Sequence, residues 1–395
     1  MIPLENALAE VRARCRPLPA EEVPLLQAHG RTLAAAVRAA RDQPAQDISM
    51  MDGYALCASE RTARIVGEIA AGDAPWERTL QAGEAARIFT GAPVPPGADC
   101  VVMQEHCERK GDSLRVNEAP KPGQHIRRRG EELRAGSEAL SVGTALGPAE
   151  LSLAAACGAA KVSVHRRPRV AILVTGEELV PLGTEPPPGK LIETNSVALA
   201  ALARDAGGEP ALLGIARDDP ALIASRLDDA AADILVTTGG ASVGDHDHAQ
   251  SALERISGKL VFHTVAIRPG KPILFGTSRE RLVFGLPGNP AAAMLGFELF
   301  VRLAVRILSG DPQPERPRVR ARLRGSLQRV KGLTYFPRGR LTTDLVFEAG
   351  GQQSSMQIAS WSGVNAVAVV PPGEGPLEDG AEVAVLQLGP LLPAR

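Results

Sequence analysis

Between Asp233 and Gln250 the chain reads Asp-Ile-Leu-Val-Thr-Thr-Gly-Gly-Ala-Ser-Val-Gly-Asp-His-Asp-His-Ala-Gln. Ile234 to Val236 is an apolar run bounded by turn residues, the pattern of a buried strand. Thr237 to Gly244 then supplies small hydroxyl residues and three glycines, and glycine lets backbone come close to a ligand. Asp245 and Asp247 follow, where the chain should enter a helix. Free amides and a helix dipole aimed at one place make an anion site. Two carboxylates at that place are unfavourable without a cation, so the stretch reads as a phosphate or oxyanion site with a divalent metal. The competing reading is an ordinary strand-to-helix turn with solvated acids. His246 and His248 flank Asp247, but alternate residues at a helix start do not share a face. They are read as solvent-facing.

Three further turns have the same character: Thr175-Gly176-Glu177-Glu178, Arg268-Pro269-Gly270-Lys271 and Pro287-Gly288-Asn289-Pro290. Each follows an apolar run. The elements that would position them alternate between residues 169 and 310. Strands are expected at Val170–Val174, Ala211–Ala216, 233–238, Leu260–Ile267, Ile273–Gly276 and Leu282–Gly285. Helices are expected after Thr194 or Asn195, after Asp219-Pro220, from about Asp247, and from Asn289-Pro290 to Gly310. Such alternation implies a mostly parallel sheet built from βαβ units. Ligands bind beyond the C-terminal ends of its strands, so the four turns can converge. Together they offer amides and hydroxyls for phosphate, Arg268 and Lys271 for oxyanions, and Glu178 with Asp247 for an ion such as Mg²⁺. No Gly-x-Gly-x-x-Gly or Walker A pattern stands where a dinucleotide or an ATP P-loop would need it.

The flanking segments differ in composition. Residues 1–40 carry Leu4, Leu8 and Val11 at helical spacing and an Ala/Leu-rich run from Leu25 to Val37, and read as helical. From Gln43, short β-branched runs (Arg64–Ile69, Ala85–Phe89, Cys100–Gln104, Ser113–Val116) between Gly/Pro clusters predict a small β-module. Arg127 to Arg129 followed by Glu131-Glu132 is a charge run with either a solvated, an inter-subunit or a ligand-binding role. Pro148–Cys157 reads as a helix with Gly158 at its end. Residues 311–317 form a Pro-rich linker. The runs Val319–Leu323, Leu341–Phe347, Val364–Val370 and Val383–Leu386 beyond it predict a small β-barrel-like domain. The fold class is therefore α/β and multidomain. A helical linker domain takes residues 1–42 with 135–167, a β-rich domain 43–134, the central α/β domain 168–311 and the C-terminal β domain 312–395.

Bulk properties exclude several classes. The 395 residues carry a formal net charge of −1, with 3% aromatic residues, which recommends neither nucleic acid nor an anionic membrane as partner. No apolar run approaches the roughly 20 residues that span a bilayer, and the first residues lack a signal-peptide pattern. The five cysteines are odd in number and lack a Cys-x-x-Cys pair, which suits a reducing, cytoplasmic setting without disulfides or zinc.

The motifs also carry a resemblance. Ser49-Met50-Met51-Asp52-Gly53-Tyr54-Ala55, Phe89-Thr90-Gly91-Ala92-Pro93, Arg128-Arg129-Gly130-Glu131-Glu132, Thr175-Gly176-Glu177-Glu178-Leu179, Gly239-Gly240-Ala241-Ser242-Val243-Gly244, Pro269-Gly270-Lys271-Pro272 and Leu286-Pro287-Gly288-Asn289-Pro290 occur in one order. So do Tyr335-Phe336-Pro337-Arg338-Gly339-Arg340 and Gln352-Gln353-Ser354-Ser355-Met356. In order and spacing the chain resembles the molybdopterin molybdenumtransferase family, MoeA and the E domain of gephyrin, over nearly its whole length. The resemblance implies insertion of molybdenum, from molybdate, into adenylylated molybdopterin with release of AMP. It implies assistance by Mg²⁺ and an elongated homodimer of four-domain subunits. Its active site would join the α/β domain of one subunit to the β-module of the other. Transient contacts with molybdopterin adenylyltransferase and with apo-molybdoenzymes would follow from such a reaction.

The resemblance also implies residue roles. Asp52, Asp247, Glu178 and Glu132 would be the catalytic acids, the first three holding the metal. Thr90, Thr175, Gly176, Gly239, Gly240, Ser242, Pro287 and Asn289 would bind substrate. Arg268 and Lys271 would hold molybdate or phosphate, and Arg338 and Ser355 would reach the site from the C-terminal domain. Arg268 stands where many members have Lys, Glu132 where Asp is common, and Ala241 where Val is frequent. Glu177 duplicates the acid before Glu178, so the choice between them rests on spacing to Leu179. Two other functions compete: a molybdopterin adenylyltransferase, which would need neither the β-module nor the C-terminal domain, and a non-catalytic pterin-binding scaffold, which could have lost the acids.

Overall fold

A run that is apolar on both faces can be buried only in a sheet covered on both sides, and four such runs build the centre of this protein. In the computed structural model, which describes residues 1–240 and 248–393, the chain divides into two compact units. One comprises Glu22–His29 and Ala35–Ser163, the other Met1–Glu21, Gly30–Ala34 and Val164–Arg395.

The second unit holds a six-stranded sheet in the order Glu209–Ala216, Arg169–Thr175, Ile234–Thr238, Arg281–Leu286, Pro272–Ser278, Lys259–Thr264. The first four strands are parallel; Pro272–Ser278 runs against them, and Lys259–Thr264 pairs antiparallel to it at the edge. Alternation decides which side each residue serves. Val170, Ile172, Ile234, Val236, Phe275 and Phe284 enter one core, while Ala171, Leu173, Leu235, Leu274 and Val283 enter the other. The helices Asn195–Asp205 and Pro290–Gly296, with the N-terminal helix Leu4–Arg14, contribute to the first core. Pro220–Asp228 and His248–Arg255 cover the second. Register sets the level of the strand ends: Thr175 pairs with Ala216, Val174 with Thr238, and Thr238 with Leu286. The turns that follow these strands therefore leave from one edge.

The expected long apolar helix from Pro290 to Gly310 is present but interrupted by a π turn, Phe297–Val301. Buried Glu298 in that turn accepts two hydrogen bonds at 3.0 Å from Arg316 of the following linker. Beyond the linker, Arg318–Arg324, Val346–Ala349, Arg338–Leu341, Ala366–Val369 and Glu382–Gln387 close into a five-stranded barrel. The expected single strand Leu341–Phe347 is instead the end of one strand, a turn and the start of the next. Leu345 in that turn has a φ of +57°, and the Val346 amide donates to Thr342 Oγ1 at 3.1 Å.

The first unit is built on a six-stranded sheet: Cys100–Met103, Gly53–Leu56, Glu84–Ile88, Thr62–Ile69, Ser113–Val116, Cys107–Lys110. It is the β-module expected from the short β-branched runs. The helical expectation for residues 1–40 holds only at Leu4–Arg14. Pro17, Pro19 and Pro24 remove backbone donors, and Gly30 turns the chain at φ +72°. Leu25–Gln27 is a single 3₁₀ turn, and Val37–Arg38 pairs with Glu138–Leu140 as a strand. The linker region is accordingly mostly extended, with the helix Pro148–Ala156 as expected.

Candidate functional site

Beyond the C-terminal ends of the parallel strands lies a cleft of about 490 Å³. Its floor is where three turns meet. Asn195, at the start of its helix, donates from Nδ2 to Thr238 Oγ1 at 3.3 Å and to the Gly288 carbonyl at 2.9 Å. Thr175 Oγ1 donates to the Thr238 carbonyl at 3.4 Å. Gly239 runs at φ +90°, and a Cβ there would lie 2.3 Å from the Thr175 carbonyl oxygen. No L side chain fits that position. Glu178 folds back over Gly176, with its carboxylate 2.8 Å from where a Cβ of Gly176 would stand, and lines the cleft together with Asp218. Glu177 does not line the cleft, and its carbonyl accepts from Lys190 Nζ at 2.5 Å. The acid that faces the cleft is therefore Glu178.

The rim includes Leu191, Ile192 and Met356. Met356 comes from the C-terminal barrel on a loop that docks on the helix Pro290–Gly296. There the Ser355 carbonyl accepts from the Ala291 amide at 3.1 Å, and Asn289 Nδ2 donates to Ser355 Oγ at 3.2 Å. Asn289 thus starts its helix without a side-chain cap. Its carbonyl accepts from the Ala292 and Ala293 amides.

In the other unit, Asp52 sits in a turn that only glycine can follow, because a Cβ on Gly53 would lie 1.9 Å from the Val102 carbonyl oxygen. Asp52 Oδ1 accepts from both the amide and the hydroxyl of Thr90 at 2.8 Å. The Thr90 amide, then its hydroxyl, then the charge of Arg87 hold the Asp52 carboxyl below its ordinary value. Arg87 lies over the rings of Phe89 and Tyr54 at 4.7 and 5.2 Å and donates to the Gly53 carbonyl and to Gln104 Oε1. Glu132 pairs with Arg127 at 2.7 Å, while Arg128 and Arg129 pair with Asp47 and Asp42. The charge run is thus stitched to neighbouring acids.

Three family models match the chain in order. The MoeA N-terminal region (domain I and II) matches residues 2–158, a probable molybdopterin binding domain 171–307, and the MoeA C-terminal region (domain IV) 320–388. The chain belongs to the MoeA family of molybdopterin molybdenumtransferases. A molybdopterin molybdenumtransferase of Nostoc is 38% identical, covering 93% of this chain and 88% of that protein. One of Bacillus subtilis is 33% identical, covering 98% and 94%. A solved molybdopterin biosynthesis MoeA protein from Pyrococcus horikoshii OT3 superposes with a TM-score of 0.85 at 30% identity, covering 98% of this chain and 100% of that one.

Against the roles implied by the resemblance, the structure gathers Thr175, Gly176, Glu178, Gly239, Gly240, Pro287 and Asn289 in the cleft. Asp52, Thr90 and Glu132 stand in the other unit, where Asp52 and Thr90 are bonded and Glu132 has Arg127 for its partner. Ser242 and Asp247, with Asp245 and His246, lie outside the described residues. Arg268 and Lys271 are exposed and do not line the cleft. Arg268 stacks on Tyr335 at 5.5 Å, and their turn packs through Gly270 against Ala292.

Arg338 departs most from its expected role. It is 1% exposed and donates to the carbonyls of Gln352 and Ser354 at 3.4 and 3.1 Å. It is absent from the cleft lining and instead shapes the loop that carries Ser355 and Met356. Burial lowers its pKa.

Asn195, Asp218 and Met356 line the cleft without having been singled out as site residues. Asp218 follows a parallel strand like the other turns, and that position was its signal. It was hidden by the neighbouring cap residue Asp219, whose carboxylate accepts from the Ala221 amide. Asn195 was read only as a helix start.

Proposed function

We infer that this chain is a molybdopterin molybdenumtransferase that takes adenylylated molybdopterin and molybdate, releases AMP and yields molybdenum cofactor. The observation that carries the reading is the cleft beyond Thr175, Thr238 and Leu286. Its glycine turns admit a phosphate to the backbone, and it lies in the domain whose family model is a molybdopterin binding domain.

Mg²⁺ fits the donors present. The acids lining the cleft are carboxylates, Glu178 and Asp218 among them, and hard oxygen donors suit this ion. Among the described residues no group of three His, Cys, Asp or Glu side chains stands ready to enclose a metal. Such an ion is commonly held by one or two carboxylates and shared with water and phosphate. Glu178 and Asp218 would hold it, and it would supply charge neutralisation at the phosphates. Among the described residues Asp52 Oδ2 has no hydrogen-bond partner, and the ionised carboxylate is suited to a metal or to taking a proton from an attacking oxygen. Arg268 and Lys271, as exposed cations, draw molybdate towards the turn.

A homodimer, transient contact with molybdopterin adenylyltransferase and apo-molybdoenzymes, and a cytoplasmic location complete the reading. No helix of the described residues is long and apolar enough to cross a membrane. The test is anaerobic turnover of adenylylated molybdopterin, with AMP release followed at varied molybdate and Mg²⁺. Release should require both and should fall by about 10²–10⁴-fold in Asp52→Ala and Asp247→Ala. A wild-type protein that binds the pterin and never turns it over would be a scaffold and would sink this conclusion.

A further inference from the structure

Asn195 presents a side-chain amide to the cleft. It is 7% exposed yet lines the cleft. The carbonyl of Gly288 can only accept, so the group 2.9 Å from it must be the amide nitrogen. That bond, with the second to Thr238 Oγ1, engages both Nδ2 hydrogens and settles which way the amide faces. Oδ1 is then a fixed acceptor, and among the described residues it has no hydrogen-bond partner. An acceptor oxygen held in place in a cleft discriminates sharply, because a ligand that displaces water without bringing the matching donor leaves it unpaired.

We propose that Asn195 is a specificity-determining residue whose Oδ1 accepts a hydrogen bond from a neutral N–H or O–H group of the bound substrate. The role rests on the reaction proposed above. Adenylylated molybdopterin carries such donors on both halves, the N–H edge of the pterin on one and the ribose hydroxyls and adenine amino group on the other, and each presents the chemistry that Oδ1 requires. The carboxylates of Glu178 and Asp218 are charged acceptors of the cleft and suit a cation, while that of Glu193 is taken by the Ser196 amide and hydroxyl; Asn195 offers an uncharged acceptor held by two bonds.

The test uses the full chain and two probes, AMP and anaerobic molybdopterin, titrated by calorimetry into wild type, Asn195→Ala and Asn195→Leu, the last keeping the volume without the acceptor. The expected result is about a tenfold weakening of one probe, with the other within about twofold, in both variants. The probe that weakens names the half of the substrate that supplies the donor, and the probe that does not shows that the cleft is intact. Equal weakening of both probes would mean that Asn195 only staples the turns, and unchanged affinity for both would mean that Oδ1 reads nothing; either overturns the proposal. A wild type that binds neither probe overturns the proposed reaction itself, and this role with it.

Discussion

Thr90 holds Asp52 through two donors at once, its amide and its hydroxyl both 2.8 Å from Oδ1. Hydrogen bonds to the charged form favour that form, so the pair keeps Asp52 ionised into the acid range while leaving its second oxygen open. Thr90→Val deletes the hydroxyl donor and keeps the amide. The Asp52 pKa should rise towards its ordinary value, and the acid limb of the kcat/KM profile should move to higher pH. A limb that stays in place would show that Asp52 does not control it.

The two adjacent glutamates after Gly176 should separate cleanly. Glu178→Gln removes the carboxylate that lines the cleft and should lower kcat/KM by about 10²-fold or more, with a raised Mg²⁺ requirement. Glu177→Gln alters a solvated side chain and should stay within about twofold. Steady-state AMP release at varied Mg²⁺ distinguishes them, and equal losses would refute the assignment.

Gly239 and Gly288 touch across the cleft floor but tolerate change differently. A Cβ at Gly288 would meet Gly239 Cα at 3.4 Å, an ordinary contact, whereas one at Gly239 would lie 2.3 Å from a carbonyl oxygen. Gly239→Ala should cost roughly 1–3 kcal/mol through backbone strain, and Gly288→Ala well under 1 kcal/mol. Urea unfolding followed by fluorescence compares the two variants directly.

Glu298 ties the linker to the π turn through Arg316, with side chains 5% and 23% exposed. Removing one partner of a buried pair leaves the other uncompensated, at a cost of about 3–5 kcal/mol. Burial pushes neighbouring Arg302 down to about 10, so the remaining cations would have less reason to stay folded inward. Glu298→Ala should therefore lower the unfolding midpoint strongly, while Arg320→Ala, on the exposed face of the C-terminal barrel, should barely move it.

Much of this was legible in the chain because it follows from local pattern. Val170–Val174 and Ile234–Val236 are apolar on both faces, which only a doubly covered sheet accommodates, and the glycine turns after them mark the ligand edge. Residues 25–37 misled because Ala and Leu favour helix in isolation, whereas Pro24, Gly30 and a strand partner at 138–140 decide otherwise. Asn195 and Arg338 were misjudged for another reason. Their roles depend on what stands opposite them in space: a carbonyl 93 residues away for Asn195, and a loop across the barrel for Arg338. Neither relation has a signature in spacing.

The docking of Ser355 on the helix that begins at Pro290 has one more consequence. Proline has no N–H, the Ala291 amide is taken by Ser355, and the Ala292 and Ala293 amides are taken by Asn289. The first-turn amides of this helix are therefore all engaged while the barrel loop is seated. An anion could claim the Ala291 amide only by displacing Ser355. Ligand binding at that helix end and closure of the loop are thus competitors for a single hydrogen.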